Sequence, residues 1–353
     1  MVDFCPFYPY TCCRWFELNW RLFETQAMIS ADLWMFIMRM VPISRYRGVS
    51  GMRLSYLVFD YGTTALKVVG YDDSFCVLAT AVREWSYLYP GSNRIELPVA
   101  DYWHQTVSGA QEVIEKAGGV RRLRAISITG QSETLIALAN DGQPLGRAMV
   151  WHDTRPQAEF NIMSGIISQD MLYARTGNTA LDPVMPLLKL PWMKANEPDR
   201  YFSASKFLLL RDYIFYKLTG ELTSEYTTSC CTGYFNIVQC RWDDELLAAA
   251  GIDQQKLPEL TDSRHVAASL SEEARVALDV PAGVSVVSGL LDQCASALGA
   301  GNTSPGMISE TTGTVLAVAA TLSDFKPETM REKVLMFRHA VPGKFMALPN
   351  CPT

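Results

Sequence analysis

Two apolar runs in this chain break at turns crowded with glycine and threonine. The first is "FDYGTTALKVV", with Asp60, Gly62, Thr63 and Thr64 at the bend; the second is "SETTGTVLAV", with Thr311, Thr312, Gly313 and Thr314. Glycine lets a phosphate approach backbone N–H groups, and threonine hydroxyls add donors. A carboxylate at the bend, Asp60, can hold Mg²⁺ directly or through water. The second turn has no carboxylate at the matching place, although Glu310 is adjacent. Each segment alone also reads as an ordinary hairpin turn. Two such loops facing one another across a cleft would grip the β- and γ-phosphates of a nucleotide from both sides.

Asp292 lies between the two turns, after an apolar strand and at the head of "DQCASALGAG". Aspartate there is a favoured helix N-cap. A carboxylate at a strand's carboxyl end can also take the proton from a hydroxyl that attacks a phosphoryl group. The helix N-terminus is expected to keep it ionised. Upstream, Gln131, Ser132 and Glu133 follow a predicted strand, where a crevice admits a ligand, and Glu133 can accept hydrogen bonds from two hydroxyls of a polyol. In "WHDTR", Trp151 offers an apolar face to a sugar while Asp153 and Arg155 could orient hydroxyls. The plainer alternative makes Trp151 core and Asp153 with Arg155 a surface turn.

These residues need strands to present them. Periodicity predicts strands at 55–60, 65–71, 76–82, 124–129 and 134–139, the first three as an antiparallel meander and 124–129 parallel to the first. "DYWHQTVSGAQEVIEKAGG" predicts a helix capped by Asp101 and stopped by Gly118 and Gly119. The middle, 155–280, reads as helix-rich, with "KFLLLRDYIFYKLTG" a long apolar helix ended by Gly220. A strand at 284–288, a helix at 292–300 and a hairpin over 307–320 repeat the opening grammar and suggest a second domain from about Val284. Neither G-x-G-x-x-G nor G-x-x-x-x-G-K-[ST] occurs, so a nucleotide would be held by another device.

With 353 residues, 48% of them hydrophobic and 19% charged, the chain can bury a large core in two domains. A net charge of -6 gives no basic surface for nucleic acid or an anionic membrane. The nine cysteines form no C-x-x-C pair and the four histidines are isolated, which argues for reduced thiols and against structural zinc. Residues 1–53 differ from the rest in their aromatics, Cys, Met and Arg. Their most apolar part, 31–41, contains Asp32 and Arg39 and falls short of the roughly 20 residues that span a bilayer. The segment reads as an appendage, with Met52 as a candidate functional start and an amphipathic partner-binding helix as the alternative.

Five blocks in order, "FDYGTTALKVV", "SITGQSETLIAL", "VWHDTRPQAE", "SGLLDQCASALGAG" and "SETTGTVLAV", resemble the FGGY family of carbohydrate kinases over about residues 54–353. The resemblance implies an α/β fold of the actin-like ATPase (ribonuclease H-like) class, with 54–283 as a complete N-terminal domain and 284–353 as the start of a similar second domain. It implies a cytoplasmic enzyme that uses ATP and Mg²⁺ to phosphorylate a small sugar or polyol. Asp60 would serve the metal; Gly62, Thr63, Thr64, Thr311, Thr312, Gly313 and Thr314 the phosphates. Asp292 would be the general base, and Gln131, Ser132, Glu133, Trp151, Asp153, Asp292 and Gln293 would line the sugar side. Members of the family carry Met-His or Arg-Glu where this chain has Ser132-Glu133. Self-association as a homodimer stays open, as do two rivals: an actin-like ATPase binding module that takes no sugar, and an inactive fragment that lacks the adenine-holding region.

Overall fold

The computed structural model describes residues 53–352 apart from 121, 122, 268, 313, 314 and 331. Residues 1–52 of the expected appendage, and Gly313 and Thr314 of the second turn, lie outside the described residues. Strand β1 (Tyr56–Tyr61) turns into β2 (Ala65–Tyr71) and β3 (Val77–Glu84), the expected antiparallel meander. β4 (Leu88–Gly91) and β5 (Arg94–Leu97) lead to helix α1 (Val99–Lys116) and to β6 (Ala125–Gly130), which runs parallel to β1. Next come β7 (Leu135–Leu138), β8 (Ala148–Met149), α2 (Gln157–Ser164), α3 (Gln169–Thr176), α4 (Pro186–Asn196), α5 (Pro198–Ser203) and β9 (Lys206–Leu209). Helix α6 (Leu210–Thr219), β10 (Thr223–Glu225), α7 (Tyr226–Ser229), β11 (Phe235–Asn236), β12 (Arg241–Trp242) and α8 (Asp244–Ala250) follow. After β13 (Glu259–Thr261), β14 (Val266–Ala267) and α9 (Glu272–Leu278), strand β15 (Ser285–Leu291) passes straight into α10 (Asp292–Gly299). The last strands are β16 (Ile308–Thr312), β17 (Val315–Leu322), β18 (Met336–Arg338), β19 (Phe345–Ala347) and β20 (Asn350–Pro352).

The central sheet has the order β14-β15-β6-β1-β2-β3, with β15, β6 and β1 mutually parallel. Its middle strands are buried on both faces, which explains their nearly unbroken apolar runs. Alternation along β1 sends Leu57, Phe59 and Tyr61 into one apolar cluster and Tyr56 and Val58 into the other. Asp60 therefore shares the face of Tyr56 and Val58, the side on which Leu291 and Cys294 pack. A second sheet, β4-β5-β8-β7-β9, and a third, β16-β17-β19-β18 with β20 on β17, complete the frame.

Three expectations change. The strand expected to open a second domain, β15, instead completes the central sheet by pairing with β6; an apolar strand pattern fixes the strand but not its neighbour. Helix α1 starts at Val99 behind Pro98, with Asp101 in its first turn rather than at the cap, because proline presets the entry dihedral and needs no N–H there. The long apolar helix at 206–220 is divided: β9 takes Lys206–Leu209 in pairing with β7, and α6 runs from Leu210 to the left-handed Gly220. Among the described residues no helix is long and apolar enough to cross a membrane.

The third sheet is tied to α10 through Asn302, which is 1% exposed. Its N–H bonds Ala297 O, its Nδ2 reaches Ala319 O and Ser309 Oγ, and its Oδ1 accepts the Thr321 hydroxyl. Its carbonyl receives His339 Nε2 at 3.0 Å, while His339 Nδ1 accepts the N–H of Val341 at 2.8 Å. Both ring nitrogens are thus committed to the neutral form, and burial lowers the His339 pKa to about 4. The folded value lies below the unfolded one, so stability is complete above about pH 6.5 and is lost as pH falls toward 4, by about 2 kcal/mol between pH 7 and pH 5. Urea unfolding of wild type and His339→Gln across that interval is expected to show a shallower decline in the variant. Parallel curves would remove the assignment.

Candidate active site

Three parallel strands end level with one another. Asp60 and Tyr61 of β1 stand opposite Thr129 and Gly130 of β6, which stand opposite Leu290 and Leu291 of β15. At these ends stand Asp60, the last residue but one of β1, Gln131 one residue past β6, and Asp292 one residue past β15. This is the edge of an open α/β sheet at which ligands bind. Two glycines permit the close approach: a Cβ on Gly130 would sit 2.5 Å from Tyr61 O, and one on Gly289 would sit 1.7 Å from Ile128 O. Gly289, at φ 72°, forms the bulge where the β15 register shifts between Val287 and Leu290.

Asp292 is not the helix cap. Leu291 occupies that position, and Asp292 Oδ1 accepts only the adjacent Gln293 N–H, at 2.6 Å. The expectation that the helix terminus keeps Asp292 ionised is reversed: burial, with the Asp60 charge added, pushes it up to about 7. Removing a carboxylate from water outweighs the helix dipole's contribution. Asp60 is raised by burial as well, opposed by its cross-strand partner Lys67.

The first turn is braced from behind. Gly62 N–H bonds Ala65 O, Trp85 donates N–H to Thr64 O and its indole Nε1–H to Gly62 O, and Tyr87 Oη donates to Thr63 O at 2.6 Å. All three carbonyls of the turn are thereby engaged, and the Thr63 and Thr64 side chains are exposed. The second hairpin pairs Thr311 with Ala317 and Thr312 with Leu316, and it packs on α10. Among the described residues no hydrogen bond joins Thr311 to Asp60 or Asp292.

On the other side, Thr134 Oγ1 donates to Gln131 Oε1 at 3.0 Å and accepts the Trp151 N–H at 2.9 Å. Gln131 and Trp151 are thus brought together. Gln131 Nε2, Trp151 Nε1 and His152 Nδ1 are buried without a hydrogen-bond partner. Trp151 is half-buried and stands edge-on to His152, so it is not plain core. Ser132 is 2% exposed and turns its hydroxyl to Thr228 O. Glu133 holds a left-handed backbone, φ 56°; burial and the Asp292 charge raise its carboxyl while Lys189 opposes them. Lys189 is wholly buried, and its three N–H bonds meet Glu133 O and Val150 O at 2.9 Å and Trp151 O at 3.1 Å. Gln293 is half-buried beside Asp292.

Asp153 departs from expectation. It is 0% exposed, and its oxygens receive Arg155 Nε, Nη2 and N–H and the Ile95 N–H. Arg155 continues to Glu96 at 2.8 Å and lies over the Trp192 ring. The pair is not a surface turn: it latches β5 to the loop after β8, and both Asp153 oxygens are engaged, while Arg155 Nη1 is buried without a hydrogen-bond partner.

Residues 55–299 match the FGGY family of carbohydrate kinases, N-terminal domain. The chain belongs to that family. It is 28% identical over 292 residues to the xylulose kinase of Staphylococcus xylosus, covering 82% of this chain and 60% of that protein. It is 32% identical over 266 residues to the glycerol kinase of Roseobacter denitrificans, covering 73% and 52%. Its fold superposes on the xylulose kinase of Rhodospirillum rubrum with a TM-score of 0.78 at 24% identity, over 83% of this chain and 60% of that one. The actin-like ATPase fold of the FGGY kinases is therefore present. The chain spans about half to three fifths of the length of these relatives.

The FGGY blocks account for the strand-end residues, but four supporting side chains escaped the sequence reading. Trp85 and Tyr87 lie in no block. Lys189, a single cation inside the apolar "PLLKLPW", was the visible signal for a buried charge. Thr227 lies in the hydroxyl-rich "EYTTSCCTGYFN", from which pattern alone singles out no residue. Among the described residues no group of three or more His, Cys, Asp or Glu could hold a metal. Asp60 and Asp292, close enough for their charges to interact, are oxygen donors of the kind Mg²⁺ takes together with phosphate and water.

Proposed function

We propose that the chain is the catalytic and polyol-binding part of an ATP-dependent kinase acting on a hydroxyl of a small sugar or polyol, xylulokinase-like in its broad chemistry. The observation that carries the reading is the convergence of Asp60, Gln131 and Asp292 on the level ends of three adjacent parallel strands. Asp292 acts as general base: its carboxylate takes the proton of the acceptor hydroxyl as that oxygen bonds to the terminal phosphorus and ADP departs. A carboxyl held near 7 suits this role, since it is both available as base at neutral pH and strong enough to draw the proton. Gly62, Thr63 and Thr64 receive phosphate oxygens, and Thr311, Thr312, Gly313 and Thr314 are assigned the same task from the second hairpin. Asp60 would hold Mg²⁺, which when bound neutralises phosphate charge.

On the polyol side a donor wall, Gln131 Nε2, Trp151 Nε1 and His152, adjoins an acceptor wall, Glu133 and Asp292. A hydroxyl both donates and accepts, so a neutral polyol suits the pair, whereas a carboxylate would meet two like charges. Exclusion of water by closure protects the transferring group from hydrolysis. Thermal unfolding of the chain with glycerol, xylitol, D-xylulose and D-gluconate tests this. At least one neutral polyol is expected to raise Tm by several degrees at concentrations about 100-fold above its Kd. If none does so, the polyol reading falls and the sugar-free ATPase module replaces it.

A further inference from the structure

Strand β15 lacks a neighbour where it matters most. On one side it pairs with β6 to its end, but on the other β14 reaches only Val286 and Val287, with His265 O taking the Ser288 N–H just beyond. From the bulge to Leu291, directly before Asp292, no strand pairs with that edge among the described residues. An unsupported, bulged strand end is a poor mount for a group that must meet a hydroxyl within hydrogen-bond reach.

Side chains replace the missing strand. Arg211, 1% exposed on the first turn of α6, donates Nε–H to Ser288 O at 3.0 Å and Nη2–H to Ser288 Oγ at 2.6 Å, with Nη1 on Asp212 at 2.9 Å. At the strand end, Thr227 Oγ1 accepts the Leu291 N–H at 2.9 Å. The Thr227 hydroxyl proton goes to Glu225 Oε2 at 2.6 Å, which turns an oxygen lone pair to Leu291. Glu225 cannot swing away: it is wholly buried and also receives the Thr227 N–H and the Thr228 N–H and hydroxyl. The links form two groups, Arg211 with Asp212 and Ser288, and Glu225 with Thr227, Thr228 and Leu291, and within each the members orient one another.

We propose that Arg211, Glu225 and Thr227 are positioning residues that clamp the end of β15 and so set the place of Asp292. The link to phosphoryl transfer rests on the kinase reading; the clamp does not. Thr227→Val keeps the shape and removes the hydroxyl, Thr227→Ser keeps the hydroxyl, and Thr232→Val is a matched control, since the Thr232 hydroxyl bonds Ser229 O within its own turn.

Hydrogen exchange of the whole chain, followed by mass spectrometry, is expected to show residues 288–294 exchanging about tenfold or more faster in Thr227→Val. Strands β1 and β6 should be unchanged, and Thr227→Ser and Thr232→Val should resemble wild type. With Mg-ATP and glycerol or D-xylulose, kcat of Thr227→Val should fall on the order of tenfold to a hundredfold with acceptor KM within about twofold, and Thr227→Ser should restore it. Unchanged exchange at 288–294, an equal effect in Thr232→Val, or faster exchange with kcat intact each overturns the proposal. Should Thr227→Val not fold, failure of Thr227→Ser to match wild type in exchange overturns it. A wild-type chain with no turnover, but with the polyol thermal shift, selects the inactive fragment, one with neither removes the kinase reading for these acceptors, and in both cases the exchange comparison decides the clamp by itself.

Discussion

Asp292→Asn is expected to cut polyol-dependent ATP consumption by roughly two to four orders of magnitude while polyol affinity stays within a few-fold. The substitution is isosteric. The oxygen of the introduced amide can still accept the Gln293 N–H, so the bond at 2.6 Å survives and the strand-to-helix join need not move. What disappears is the carboxylate that receives the hydroxyl proton. Fold loss cannot imitate the result, because the variant removes one of two neighbouring buried charges and should unfold at no lower temperature than wild type. Steady-state kinetics and calorimetric binding on a version of the protein that turns over polyol would separate the two quantities. Intact polyol-dependent consumption in Asp292→Asn would falsify the assignment of the base.

Lys189→Met is expected to cost about 3–5 kcal/mol of stability and to abolish polyol-induced stabilisation. Methionine fills the stem's volume but leaves three buried carbonyls, those of Glu133, Val150 and Trp151, without their donor. Those carbonyls belong to both polyol-side segments, and the left-handed backbone at Glu133 relies on the first of them. Burial pulls the Lys189 pKa down, yet the three converging acceptors match the three N–H bonds of an ammonium, and the neutral amine would leave one of them unmet. Lys189→Arg is not expected to rescue, since a planar fork cannot aim three donors at carbonyls grouped around one point. Denaturant unfolding and the polyol thermal shift provide the check; a Lys189→Met chain with wild-type stability and an unchanged shift would refute the role.

Much of the strand framework was legible because its signal is local. The apolar run into Asp60, the buried run of β6 and the step from "VVSGLL" into a helix at Asp292 each show in a few adjacent residues. The roles of Lys189 and Thr227 were not legible, because the carbonyls and the N–H they meet are backbone groups 38 to 64 residues away, and every residue type has the same backbone. Asp153 and Arg155 misled for a related reason. A D-x-R triplet looks like a surface turn until Glu96 and the Ile95 N–H arrive from β5 to bury it. The sheet membership of β15 could not be read either, since its pairing with β6 joins Ser285 to Ala125 across the whole middle of the chain.

Asn302 has a mechanical consequence. It rivets Ser309, Ala319, Thr321 and His339 to the far end of α10, and the near end of α10 is Asp292. The eight residues of that helix make a rod about 12 Å long with no hinge along it. Any tilt of the third sheet would therefore be carried along the helix to the carboxylate as leverage rather than be taken up in a slack connection.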